Sequence, residues 1–217
     1  MALAIFDLDN TLLSGDSDYL WGRYLVENRI VDPDLYDQEN RRFYKEYEAG
    51  VLDINEFLHF SLKVLAAHDK KILFEWRKDF IEQKIIPIIP SKTRHLLDKH
   101  RKQGDTLLII TATNRFVTEL IAKELGIEHL LATDPEEKEG QYTGNFTGIP
   151  TYKEGKVSRL KEWLKNRKIT LEGSWFYSDS HNDLPLLKIV ENPVAVDPDE
   201  PLKLYAKNQG WPIISLR

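Results

Sequence analysis

The chain contains no cysteine. That absence removes disulfides, thiol nucleophiles and every thiolate metal site, so any metal has to be held by oxygen or imidazole. Glycine and proline are scarce, 11 and 10 of 217 residues, and 41% of the chain is hydrophobic; collagen-like, low-complexity and wholly disordered classes are excluded. No apolar run approaches the roughly 18 residues that span a bilayer, so no membrane partner is expected. There is no basic excess either: the formal net charge is −5, which argues against nucleic acid as the partner. Met1 to Phe6 is a short apolar run that meets Asp7 at once, without a basic leader or a cleavage site, and a cytoplasmic location is expected.

The charge that is present is unevenly placed. Residues 7–53 hold 12 acidic and 5 basic side chains, whereas 54–217 hold 23 and 25, so the acidic excess lies in the first quarter. At 217 residues the chain is longer than the usual ~100–150-residue domain and shorter than two. That is enough to bury roughly 70% of the unfolded surface without staples.

Leu3 to Leu8 reads as a buried strand, short and apolar and ended by Asp9-Asn10-Thr11. Residues 17–85 are helical in character. Tyr19, Leu20, Tyr24 and Leu25 recur at helical spacing, a second helix covers 34–48, and Gly50 interrupts. Asp53 with Glu56 opens a third helix over 54–67, and Asp69 caps a fourth running to about Gln83. Pro87 and Pro90 then end the helical stretch. Beyond Pro90 strands and helices alternate: a helix from a Ser91 cap to about Lys102 with Gly104 past its end, a strand at 106–111, a helix at 114–125 and a strand at 128–132. A hairpin at 140–148, a helix at 154–165 and a strand at 174–178 follow, then a helix at 182–190, a strand at 194–196, a helix at 200–208 and a last strand at 213–215. This alternation, joined to the strand at 3–8, predicts an α/β fold, a Rossmann-like parallel sheet with helices on both faces. The helical block 16–85 is then an insertion on the C-terminal side of the first strand, where open α/β sheets bind ligands. It reads as a cap over a core made of 1–15 and 86–217, with hinges near 13–17 and 85–90.

Four features converge on that edge. Asp7-Leu8-Asp9-Asn10-Thr11 puts two carboxylates one residue apart where the first strand stops. Thr111-Ala112-Thr113-Asn114 puts hydroxyls where a second buried strand meets a helix N-terminus, a place suited to phosphate. Lys156 follows Gly155 near a helix start, and the strand at 174–178 is followed by two carboxylates four apart, Asp179 and Asp183. Each alone has an ordinary reading: an acidic turn, a helix capped by Thr113 or Asn114, a solvated lysine, a cap by Asp179 or Ser180. Their conjunction is much harder to assign to chance.

In this order Asp7-Leu8-Asp9-Asn10-Thr11, Thr111, Lys156 and Asp179-Ser180-His181-Asn182-Asp183 resemble the four motifs of the haloacid dehalogenase superfamily of phosphohydrolases, and the resemblance runs over residues 5–196. It implies a Mg2+-dependent phosphatase. Asp7 would attack phosphorus to form an aspartyl phosphate, and Asp9 would protonate the leaving alcohol and then activate water. Asp7, the backbone carbonyl of Asp9 and Asp179 would hold Mg2+, with Asp183 acting through a water or through Lys156. Thr111, the Ala112 N–H and Lys156 would neutralise the phosphoryl oxygens. His181 has no such role, since Mg2+ prefers oxygen, and reads as a neighbour of the site or a surface residue.

The insertion resembles the cap of phosphoserine phosphatases and their relatives, in which an acidic residue nine positions after the nucleophile receives the substrate ammonium. Here that residue is Asp16. The Arg that those enzymes set against the substrate carboxylate has no counterpart at 60–63, where Lys63 is the available cation and lacks the bidentate fork. The expected substrate is therefore a small phosphate ester bearing an amine and no carboxylate, L-histidinol phosphate first. The opening Asp7 to Trp21 also resembles a bacterial subgroup of the family, some of whose members are described as histidinol phosphatases. Phosphoserine hydrolysis and a phosphomutase reaction stay open at this stage. A catalytically silent binding relative would usually have lost Asp7 or Asp9, and a receiver domain is shorter, lacks an insertion and has an adjacent acidic pair.

Overall fold

The computed structural model describes residues 2–165 and 167–217. Seven strands, β1 (Leu3–Phe6), β2 (Thr106–Asn114), β3 (His129–Lys138), β4 (Gln141–Thr147), β5 (Trp175–Ser178), β6 (Asn192–Val196) and β7 (Ile213–Ile214), form one sheet in the order β4-β3-β2-β1-β5-β6-β7. Every neighbouring pair is parallel except the β3–β4 hairpin. β1 is the central strand, with Ile5 registered between Leu108 and Phe176. The chain winds outward from β1 to one side through β2 and β3, then returns to the other side at β5. The reversal opens a crevice at the C-terminal end of β1.

β1 is apolar on both faces because both faces are covered. Ala4 and Phe6 join Ile109, Tyr177, Val194 and Val196 in one cluster, and Leu3 and Ile5 join Leu108, Ile110, Phe176 and Ala195 in the other, as alternation along a strand requires. Helices α5 (Ser91–Gln103) and α6 (Arg115–Glu124) supply the first cluster through Leu97, Phe116, Val117 and Ile121. Helices α7 (Glu154–Leu164), α8 (Leu184–Leu187) and α9 (Glu200–Gln209) supply the second through Leu160, Leu186, Leu187 and Leu202.

Between β1 and β2 lie α1 (Ser17–Glu27), α2 (Pro33–Glu48), α3 (Ile54–Ala66) and α4 (Lys70–Phe80). Each opens on an aspartate, Asp16, Asp32, Asp53 and Asp69, whose carboxylate accepts N–H groups of the first turn. Their apolar faces extend the first cluster: Trp21, Leu25, Leu58, Leu65 and Phe80 are continuous with Phe6, and Trp21 stands edge-on to Phe116 at 5.7 Å. Among the described residues no helix is long and apolar enough to cross a membrane.

Several local expectations change. Helical structure does not stop at Ile85: α4 runs into a π-helical turn at Ile81–Ile85 and a 3-10 turn at Ile86–Ile88, where Pro87 sits in an opening turn that asks for no N–H donor. Pro90, not Ser91, precedes α5, and Ser91 makes no capping bond. The hairpin starts earlier than its glycines suggest, because β3 continues to Lys138 and turns at Glu139-Gly140, both with positive φ (50° and 78°). The sheet is therefore mixed at that edge, and β4 packs on α3, with Gly144 close enough that a Cβ there would lie 3.3 Å from Ala66. The two links to the insertion run side by side: Ser14 N–H donates to the Ile88 carbonyl (2.9 Å), and the Thr93 hydroxyl to the Leu12 carbonyl (2.8 Å).

Candidate active site

The loop after β1 turns its acid pair to one side. The Asp7 N–H still donates to the Tyr177 carbonyl (2.9 Å), but the Leu8 carbonyl gathers the N–H groups of Leu12 and Leu13, and Asn10 takes a φ of 55°. Residues two apart on a strand share a face, and the turn keeps that relation past the strand end, so Asp7 and Asp9 both line one cavity with Asp16, Thr111 and Ala112. The β2 register is irregular between Ile110 and Asn114, which re-aims the hydroxyls there. Asn114 caps α6 through the Val117 N–H, and Thr113 is left to donate to Asp9 Oδ2 at 2.8 Å. The Thr111 hydroxyl reaches the same oxygen at 3.3 Å, and the Ser17 N–H at the start of α1 donates to Asp9 Oδ1 at 2.6 Å.

Lys156 enters from α7. A Cβ on Gly155 would collide with the Pro150 carbonyl, so glycine lets the helix start press against that loop and drives Lys156 inward. Its Nζ lies 2.7 Å from Asp7 Oδ1 and 2.8 Å from Asp183 Oδ2, and Ser178 donates to Asp183 as well (2.7 Å). Burial works against the ammonium, but Asp183 and Asp7 outweigh it and hold Lys156 firmly protonated. Burial pushes Asp7 up to about 7, against the pull of Lys156 and with Asp183 and Asp9 adding repulsion. Thr11 joins the two carboxylate motifs: its Oγ1 lies 2.9 Å from Asp179 Oδ1 and 3.2 Å from Asp7 Oδ2, and accepts the Asp179 N–H. Burial and the nearby Asp7 raise Asp179 well above the usual carboxylate range. Asp179 faces a neighbouring opening with Tyr44, Tyr47, Ser180 and Asp199 rather than the main cavity.

Asp16 spends one oxygen on the Tyr19 N–H (2.8 Å) and lines the cavity; burial and Asp9 push it up to about 7. His181 is turned away from the acids, its Nδ1 2.7 Å from Asp199. Lys63 does not reach this cavity. It lines a separate groove with Tyr36, Phe60 and His68, so it cannot stand in for the missing Arg. The motifs give no signal for the aromatic and aliphatic lining or for three of its polar residues: Thr113, which the sequence offers as a cap, Asp18 and Asn40.

A family model of haloacid dehalogenase-like hydrolases matches residues 4–188. The chain belongs to that family. It is 44% identical over 219 residues to a histidinol-phosphatase of Neisseria meningitidis serogroup C (strain 8013), with 99% of each chain covered. It is 29% identical over 221 residues to a phosphoserine phosphatase of Mycobacterium tuberculosis (strain ATCC 25618 / H37Rv), covering 100% of this chain and 71% of that one. Among solved structures, a protein of unknown function from Bordetella pertussis Tohama I matches with a TM-score of 0.93 at 40% identity, over 100% of this chain and 99% of that chain. A substrate-bound phosphoserine phosphatase matches with a TM-score of 0.73 at 18% identity, over 100% and 93%, which is a likeness of fold.

Haloacid dehalogenase-like chemistry implies a divalent cation, and the donor set suits a hard one. Asp7 and Asp183 share the buried Lys156 ammonium, Thr11 links Asp7 to Asp179, and Asp9 is near enough to add repulsion at Asp7; all four offer oxygen. Among the described residues no three acidic or imidazole groups are already drawn around one point. The fit is therefore one of donor chemistry and charge.

Proposed function

We propose that the chain hydrolyses a small amine-bearing phosphomonoester, with L-histidinol phosphate as the substrate and α1–α4 as a cap over the reaction. The observation that carries this reading is the cavity lining. It combines Asp7, Asp9, Thr111 and Ala112 with two further carboxylates, Asp16 and Asp18, and includes neither lysine nor arginine. Such a lining attracts an ammonium and repels a carboxylate, which favours an amino alcohol phosphate over phosphoserine. The identity to the Neisseria histidinol-phosphatase supports the same choice.

In this reading an Asp7 carboxylate oxygen forms a bond to phosphorus while the bond from phosphorus to the substrate oxygen breaks. Asp9 delivers a proton to the departing alkoxide, so an alcohol leaves and an aspartyl phosphate remains. Asp9 then takes a proton from water, whose oxygen attacks phosphorus and releases inorganic phosphate with Asp7 regenerated. Lys156, bonded to Asp7, keeps that carboxylate oriented and offsets charge on the phosphoryl oxygens, and Thr111 and the Ala112 N–H bind those oxygens. Thr113 and the Ser17 N–H hold Asp9 in place. Mg2+ held by Asp7, the Asp9 carbonyl and Asp179 would reverse the field that the carboxylates set against a phosphate dianion.

The test is a turnover panel with Mg2+ over L-histidinol phosphate, phosphoserine and a generic aryl phosphate. The highest kcat/KM is expected for L-histidinol phosphate, and Asp7→Asn is expected to abolish turnover of all three. A preference for phosphoserine would overturn the substrate, and full activity in Asp7→Asn would overturn the nucleophile.

A further inference from the structure

We propose that Asp18 and Asn40 form a ring-reading subsite: at the helix-lined end of the cavity they accept the two N–H groups of a protonated imidazole-type ring. This rests on the phosphomonoester-hydrolase reading above and assigns what selects the rest of the substrate.

Asn40 is 6% exposed, and its orientation is fixed from two sides. Its Nδ2 donates to the Tyr19 carbonyl at 3.1 Å, which settles which end of the amide is nitrogen. Gly22 leaves the space the amide occupies, since a Cβ there would lie 2.6 Å from Nδ2. The carbonyl Oδ1 is left without a donor among the described residues, on a side chain that lines the cavity. An amide oxygen fixed this way, on a cavity-lining side chain and with no described donor, is an acceptor open to a ligand donor.

Asp18 lies on the first turn of α1 and lines the same cavity. No described side chain donates to its carboxyl, and burial, with the like charges of Asp16 and Asp9 beside it, pushes that carboxyl well above the usual carboxylate range. It therefore lacks a counter-charge that a bound cation would supply. The walls around these two acceptors are aromatic: Tyr19 and Tyr44 pack at 5.1 Å, and Phe43 meets Phe57 edge-on at 5.3 Å. Aromatic faces beside an amide oxygen and a carboxyl that a bound cation would ionise match a flat cation with two N–H donors. Asp16 stays assigned to the aliphatic amine, nearer the phosphate. A carboxylate in place of the ring would meet Asp18 as a like charge.

The experiment compares kcat/KM for L-histidinol phosphate with that for O-phosphoethanolamine, which keeps phosphate and amine but has no ring. In Asp18→Asn, an isosteric change, the ratio of the two is expected to fall about tenfold or more, as a charged hydrogen bond in a cavity implies. Because replacing Asn40 also frees the Tyr19 carbonyl, the second readout uses the unaltered protein: histamine is expected to inhibit at lower concentration than 1-propylamine, and Asp18→Asn to lose that preference. A ratio unchanged in Asp18→Asn, or equal inhibition by the two amines, overturns the ring subsite while leaving the phosphatase intact. If the unaltered protein hydrolyses neither ester with Mg2+, the hydrolase reading fails and the subsite falls with it.

Discussion

Lys156→Met should destabilise the metal-free protein strongly at neutral pH and far less in mild acid. Lys156 is 1% exposed, and it is the cation bonded to both Asp7 and Asp183. Methionine keeps most of the volume but leaves two buried carboxylates without a counter-charge. Removing one partner of a buried pair costs about 3–5 kcal/mol, which for a chain of this size is a Tm lower by roughly 6–20 °C. The pH dependence follows from Asp7. Burial raises its folded value from 3.8 to about 7 even with Lys156 present. A folded value above the unfolded one means that its contribution is fully present below about pH 4 and is lost as pH rises toward 7. Without Lys156 the folded value moves higher still, and stability falls with pH by up to about 1.4 kcal/mol per unit for each such group. Urea midpoints in EDTA at pH 5.5 and 7.5 read this directly. The deficit of Lys156→Met relative to the unaltered protein should be at least halved at pH 5.5. An equal deficit at both values, or none at either, would refute the claim that the ammonium acts by neutralising buried acid.

Two further outcomes follow from contacts outside the motifs. Thr113→Val removes the 2.8 Å bond to Asp9 and should lower kcat by about tenfold with little change in KM, while Thr113→Ser should recover most of it; a KM effect alone would place Thr113 at the substrate instead. Gly50 has a φ of 69°, and a Cβ there would lie 2.6 Å from His181 Nε2, so Gly50→Ala should cost about 1–2 kcal/mol from backbone strain before any clash. The loss, read from urea midpoints, should shrink in a His181→Ala background, and an equal loss in both backgrounds would leave the backbone as its sole cause.

The fold was legible where one periodicity dominated. Leu3–Phe6 and Leu108–Ile110 are buried on both faces and show it as apolar runs, and Asp53 and Asp69 sit where their helices begin. The miss at Ile81–Ile88 has a physical reason: a π turn followed by a 3-10 turn keeps the backbone helical past the point where proline rules end it. The β3–β4 hairpin was shortened because the extension of β3 through Pro135 lies on an edge, where proline is tolerated.

The catalytic edge was legible for a different reason. Asp7, Asp9, Thr111, Lys156, Asp179 and Asp183 occupy strand ends and one helix start, and the alternating topology delivers all such ends to one side of the sheet. Residue type and order along the chain therefore determined the fold class, the family and the set of acids, because these depend on local pattern and on a connectivity rule. What only the tertiary structure decided lies in the insertion. Asn40 lines the cavity with its amide in the space that Gly22 on another helix yields, Lys63 is withdrawn into a different groove, and Asp18 lines the cavity with no described cation beside it. Those facts depend on how four helices pack across one another, and packing between helices distant in the chain leaves no spacing in the sequence to read.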